Sequence, residues 1–242
     1  MSIEDKLITI AENEPKVFAA GEKSEYDRFW DNYQKNGRIT SGSYMFANEG
    51  WNDETFKPKY SMESINNANY MFNTCRVLDF KGALERAGIT INFSQCPALT
   101  RTFSYMKCPV IPEINASGAT SLSQTFMQSD VLQTIEKLIL KTDGTQTFSG
   151  AFEACKALEN ITIEGVIGRS VDFSYSPLTV ESMKNIILHL KDYTGTSSEY
   201  AYSVKFSGES WNLLTEAAIN GDVSPENTDW ETYIMGYLKW NT

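Results

Sequence analysis

A seven-residue pattern, Phe-x-x-Cys-x-x-Leu, recurs along this chain and constrains its fold more than any other feature. Clear copies run Phe72–Leu78, Phe93–Leu99 and Phe152–Leu158. Tyr105-Met-Lys-Cys108-Pro-Val-Ile111 and Phe126-Met-Gln-Ser129-Asp-Val-Leu132 are looser, and Phe173-Ser-Tyr-Ser176-Pro-Leu178 is degenerate. An early copy around Tyr44-Met-Phe46 lacks the small residue. Cys75, Cys96, Cys108 and Cys155 all stand at one place in the pattern, and Ser takes that place elsewhere. From Phe46 through Phe72, Phe93, Phe126 and Phe152 to Phe173, the steps are 26, 21, 33, 26 and 21 residues. The step of 33 contains the Tyr105 copy. These steps centre on the length of a leucine-rich unit, about 20–29 residues.

Short strand signals follow several copies: Ile161-Thr-Ile163, Ile111-Pro-Glu-Ile114 and Ile135–Leu140. A unit of strand, turn and short segment cannot bury its own apolar side, so consecutive units must stack. Stacking predicts that Phe, Cys and Leu point into one continuous core. Two echoes support the repeat: INFSQCPALT (91–100) against VDFSYSPLTV (171–180), and SGSYMF (41–46) against NANYMF (67–72).

The stretch SGAFEACKALENITIEG (149–165) resembles the BspA-type leucine-rich repeat of bacterial proteins, and YMFNTC and FSQCPAL resemble divergent copies of it. The resemblance covers roughly 41–180. The flanks KLITIAENEPKVF and SPLTVESMKNIILHLKDYTG resemble those around such repeats in phage or prophage proteins. The resemblance implies an α/β repeat fold, an irregular leucine-rich-repeat solenoid. It also implies a role in protein binding or cell adhesion, as a phage or prophage structural component.

Three parts are expected: a helical N-terminal cap or docking segment (1–40), the repeat region (41–180) and a C-terminal capping segment (181–242). In the first, Tyr26, Phe29, Trp30 and Tyr33 fall on one helical face, and Pro15 breaks the preceding helix. This segment either seals the first repeat or makes a homo-oligomer. The last part reads helix, strand, helix. Val180–Leu190 is a helical run with Thr179 as N-cap, YAYSVKF (200–206) alternates like a strand, and Trp211–Ile219 and Asp229–Tyr237 are helical.

Lys plus Arg number 21 against 31 Asp plus Glu, a net charge of -10, which disfavours nucleic acid as a partner. From Asp192 onward eight acidic residues face only Lys205 and Lys239. There is no apolar run long enough for membrane insertion and no export signal in MSIEDKLITIAENEPK. The expected location is therefore the cytoplasm of a producing bacterium, or a virion.

Catalytic, cofactor and metal residues are expected to be none. His189 is the sole histidine, in the apolar helix IILHLKDY, and reads as a packing residue. A zinc site and a Cys-His dyad both lack partners, and no phosphate-binding or nucleophile-elbow motif occurs. The cysteines read as free buried thiols, with Cys96 and Cys108 the pair best placed for a disulfide. Cys155→Ser should leave function intact and cost about 1–3 kcal/mol.

The expected function is a non-enzymatic interaction scaffold whose strand face binds a protein or a surface glycan. The alternative is a carbohydrate-binding module, with Trp51 and Tyr60 of the polar insertion GWNDETFKPKY (50–60) as candidate binding residues. A glycoside hydrolase using a carboxylate pair is the second alternative. Trp30, Trp211, Trp230 and Trp240 read as end-cap core rather than sugar platforms.

Overall fold

The computed structural model describes residues 40–48, 50–58 and 61–242. The expected N-terminal helices, with Trp30, lie outside these residues, as does Tyr60. The chain is mixed α/β. All its strand pairings among the described residues are parallel.

Among the described residues seven strands and four α-helices form, in the order α1 (Phe80–Ala87), β1 (Ile91–Asn92), β2 (Val110–Ile111), β3 (Ile114–Asn115), β4 (Thr134–Ile139), β5 (Asn160–Glu164), β6 (Val171–Phe173), α2 (Val180–Leu188), β7 (Val204–Phe206), α3 (Gly208–Ile219) and α4 (Trp230–Thr232). A π-helical turn, Tyr233–Tyr237, continues α4. β5 pairs with one edge of β4. β2 and β3 share the other edge, and Pro112, which has no N–H to donate, lies between them. Ile161 and Ile163 are buried and their neighbours exposed, as the alternation in ENITIEG predicts.

The core is a column of phenylalanine rings. Phe46, Phe72, Phe103, Phe126, Phe152 and Phe173 stack in succession at 5.2, 5.3, 5.6, 5.4 and 4.4 Å between centroids. Phe206 extends the column at 6.1 Å. Such stacked pairs stabilise by about 0.5–1.5 kcal/mol beyond area burial.

The column corrects the sequence reading in two places. Its third rung is Phe103, not Phe93, which is buried but stands aside from the stack, tilted 44° against Phe103. Tyr105 is accordingly no rung. The physical reason is α1, absent from the sequence reading. Its FKGALERA turn and the left-handed Gly88 at its C-cap lengthen the second unit. α1 also shifts the pattern by one residue, so Val77 is buried and Leu78 is exposed. Leu99, Leu132 and Leu158 are buried as expected.

Each rung is also a chain of backbone turns. The amide of Phe46 donates to Met71 O (2.8 Å), that of Phe72 to Thr102 O (2.8 Å), that of Phe103 to Thr125 O (2.8 Å) and that of Phe126 to Ala151 O (2.9 Å). Two residues before and two after each of these phenylalanines, φ is positive. The pairs are Tyr44 and Asn48, Tyr70 and Thr74, Arg101 and Tyr105, Gln124 and Gln128, and Gly150 and Ala154 about Phe152. Turn bonds from Met71 N to Ala68 O and from Cys75 N to Phe72 O place Tyr70 and Thr74 third in their turns, the left-handed site of a type II turn. Non-glycine side chains there cost about 1–2 kcal/mol each. Thr74, β-branched at φ 59, is the most strained of them. Thr74→Gly should therefore raise stability by about 1 kcal/mol in urea unfolding. A loss would mean that its hydroxyl contact outweighs the backbone strain.

The C-terminal part has the expected helix, strand and helix. Thr179, Ser207 and Asp229 cap α2, α3 and α4 by accepting from the amides of Ser182, Ser210 and Thr232. α3 begins at Gly208, earlier than Trp211, and only Val204–Phe206 of YAYSVKF pairs as strand. Arg169 lies over the Tyr202 ring at 4.8 Å, and Trp240 Nε1 donates to Lys191 O at 2.7 Å, fastening the chain end to the body.

Candidate functional site

The pattern's small residue has a structural task. Cys155 Sγ donates to Phe126 O at 3.1 Å, and Ser129 Oγ donates to Phe103 O at 2.7 Å. Both residues stand three places after a rung phenylalanine and reach back to the carbonyl of the rung before. Ser176 Oγ likewise donates to Cys155 O, at 3.2 Å. Cys and Ser alternate because both carry one short donor for a buried carbonyl.

All four cysteines are free and buried, Cys96 and Cys108 included. Burial pushes the thiols of Cys75, Cys96 and Cys155 up to about 12, and that of Cys108 upward as well. They are poor nucleophiles. Cys155→Ser keeps a donor facing Phe126 O, so its cost should fall at the low end of the expected range, about 1 kcal/mol in thermal unfolding. A loss above about 3 kcal/mol would show that the hydroxyl cannot replace the thiol here.

The other sequence candidates are structural too. Trp51 is fully buried and meets Phe46 edge-on at 5.1 Å, so it offers no face to a sugar. It was expected to be exposed because its neighbours Asn52, Asp53 and Glu54 are polar, but the loop folds them outward around it. Trp230 and Trp240 are buried, and Trp211 packs edge-on against Phe206 at 5.2 Å. His189 closes α2, and its Nδ1 bonds Asn185 O at 2.7 Å. Among the described residues no three His, Cys, Asp or Glu are grouped to hold a metal.

A surface that the sequence reading did not single out lies along the turns. The positions three and two places before, and one and two places after, Phe46, Phe72, Phe103, Phe126 and Phe152 form four rows, in which Ser104 and Met127 are buried. In these rows only Arg101 and Glu153 are charged; the rest are mainly Ser, Thr, Asn, Gln and Tyr. The whole chain is 21% charged. One row is a continuous stack. The rings of Tyr44 and Tyr70 lie 4.6 Å apart and nearly parallel, Arg101 lies over Tyr70 at 5.8 Å, and Arg101 Nε donates to Gln124 Oε1 at 2.8 Å. Burial raises the Tyr44 phenol above its usual value. Asn73 Nδ2 donates to Ser104 Oγ in the parallel row, at 2.6 Å.

The strands carry charge instead. Lys137 of β4 lies between Glu113 (2.9 Å) and Glu164 (3.8 Å), and Lys81 of α1 pairs with Glu136. The bond to Glu113 holds Lys137 above the ordinary lysine value. The strand face, the expected binding surface, is thus a ladder of ion pairs already satisfied within the chain.

A signal for the turn face was present in the sequence. The echo of SGSYMF in NANYMF sets Tyr44 and Tyr70 at the same place. No family model, no curated protein and no solved structure matches this chain.

Proposed function

We propose that this chain is a non-enzymatic binding scaffold, a leucine-rich-repeat-type solenoid of the BspA kind that meets its partner through the turn face. The observation that carries this reading is the near absence of charge from four rows of residues on a strongly acidic protein. Interface centres are depleted of charge and enriched in tyrosine, and Tyr, Ser and Asn dominate adaptable recognition surfaces. Left-handed Tyr, Arg and Gln support it further. Glycine would hold those backbones at lower strain, so the side chains are kept at a cost. The ring column supports the repeat reading, and the flank resemblance makes a phage or prophage particle the proposed bearer.

Fluorescently labelled protein applied to a panel of intact bacteria tests this. Binding should survive Lys137→Glu on the strand face and fall at least tenfold with Tyr70→Ser on the turn face, with both variants folded by circular dichroism. Loss with Lys137→Glu and retention with Tyr70→Ser would overturn the reading, as would silence across the panel.

A further inference from the structure

We infer that the turn face takes a neutral, linear polysaccharide laid along the ring column, with one sugar ring to each rung. This rests on the turn-face reading above and names the class of ligand.

The first ground is period. The first four ring-to-ring steps in the core are 5.2, 5.3, 5.6 and 5.4 Å and the surface pair Tyr44 and Tyr70 is 4.6 Å apart, so equivalent side chains repeat every 4.6 to 5.6 Å. This is about the advance of one pyranose in an extended glycan. An extended peptide advances about 3.3 Å per residue and would run out of phase within two rungs. A translational array suits a ligand that repeats with the same step.

The second ground is chemistry. The phenols of Tyr44 and Tyr70 and the amides of Gln124 and Gln128 each donate and accept, as sugar hydroxyls do, and the Thr74 hydroxyl, which donates to Asn73 O, can still accept. Arg101 is the one cation of these rows, and its Nε is already given to Gln124. The surface therefore has neither the cation density that an acidic polymer requires nor the apolar area of a lipid site.

The third ground is orientation. Tyr44 and Tyr70 turn their faces to each other, and Arg101 covers Tyr70. Ring edges, not ring faces, remain for contact. Recognition then runs through hydrogen bonds repeated along the column rather than through a flat aromatic platform.

Calorimetric titration of the full chain with linear cello-, manno- and xylo-oligosaccharides of two to six units tests the inference, with oligogalacturonates as the acidic comparison. One neutral series should bind, its affinity rising with each unit up to about five and unchanged by added salt. Tyr70→Ser and Arg101→Ser should each weaken it about tenfold, the expected result of losing one or two hydrogen bonds, while melting temperature holds. Silence from every neutral series would overturn the inference. So would affinity already complete with a monosaccharide, or salt-sensitive binding to the acidic series alone. Cell binding separates the two claims. If it is lost with Tyr70→Ser and on protease treatment of the cells but survives periodate, the turn face stands and the glycan falls. If it survives Tyr70→Ser, both fall.

Discussion

Phe126→Ala should bring the protein to the edge of unfolding, with a loss of about 4–5 kcal/mol in urea denaturation. Phe126 is fully buried between Phe103 and Phe152, at 5.6 and 5.4 Å and within 12° of parallel to both. Truncation removes the ring's transfer free energy and leaves a cavity in mid-column. The neighbours are held by their own stacking and by inter-rung amides, so they cannot collapse into the gap. Domains of this size are stable by only about 5–15 kcal/mol, so the variant should populate unfolded chain under mild conditions. Tyr105→Gly is the matched contrast. In the sequence pattern Tyr105 is a rung, and its loss would be severe. In the structure it sits at φ 59 in a turn, and glycine should be neutral or slightly stabilising. A loss above about 2 kcal/mol for Tyr105→Gly would restore Tyr105 to the core and displace Phe103.

The second large effect is alkaline instability. Cys75, Cys96 and Cys155 are held near 12 against an ordinary value of 9.0, and Cys108 is raised likewise. A thiol raised on folding contributes stability that is whole below the unfolded value and is lost as pH climbs toward the folded one. Between pH 9 and 12 the unfolded chain has released protons that the folded chain retains, so stability falls with pH. By pH 10 the loss is on the order of 1 kcal/mol for each thiol, and several kcal/mol for the four together. Urea midpoints should therefore drop steeply above pH 9. Replacing Cys75 and Cys155 by Ser should roughly halve that slope, because two of the four groups no longer titrate. A flat profile from pH 8 to 10 would mean that the thiols are not sequestered.

The ring column was legible in the sequence because its requirements are local and recur. A ring must recur at one place, and a short donor must stand three residues on. That second rule covers Cys75, Ser129, Cys155 and Ser176, whereas Cys96 and Cys108 follow rings that are not rungs. The reading failed where local pattern and stacking register disagreed. FSQCPAL matches the template, yet Phe93 follows β1 and stands beside the column. The true rung, Phe103, lies in TRTFSYM, which lacks a small residue three places on.

The left-handed pairs were hidden for a different reason. Glycine and asparagine mark such sites in sequence, and only Gly150 and Asn48 do so here; Tyr, Arg, Gln, Thr and Ala carry no such signature. Asn or Asp two places before Ser or Thr was a readable signal for turns at or after the strands. Asn92, Asn115, Asp143 and Asp172 each accept from the amide of Ser94, Ser117, Thr145 and Ser174. Trp51 misled because the polarity of neighbouring residues says little about where a single indole points.

Hydroxyl-radical footprinting of the protein bound to cells tests the central claim, that the turn face makes the contact. Tyr44, Tyr70 and Tyr105 should lose oxidation on binding, while the exposed Leu188 and Met235, away from the turn-face rows, should oxidise as in free protein. Protection confined to Leu188 or Met235, with Tyr44 and Tyr70 unchanged, would contradict it.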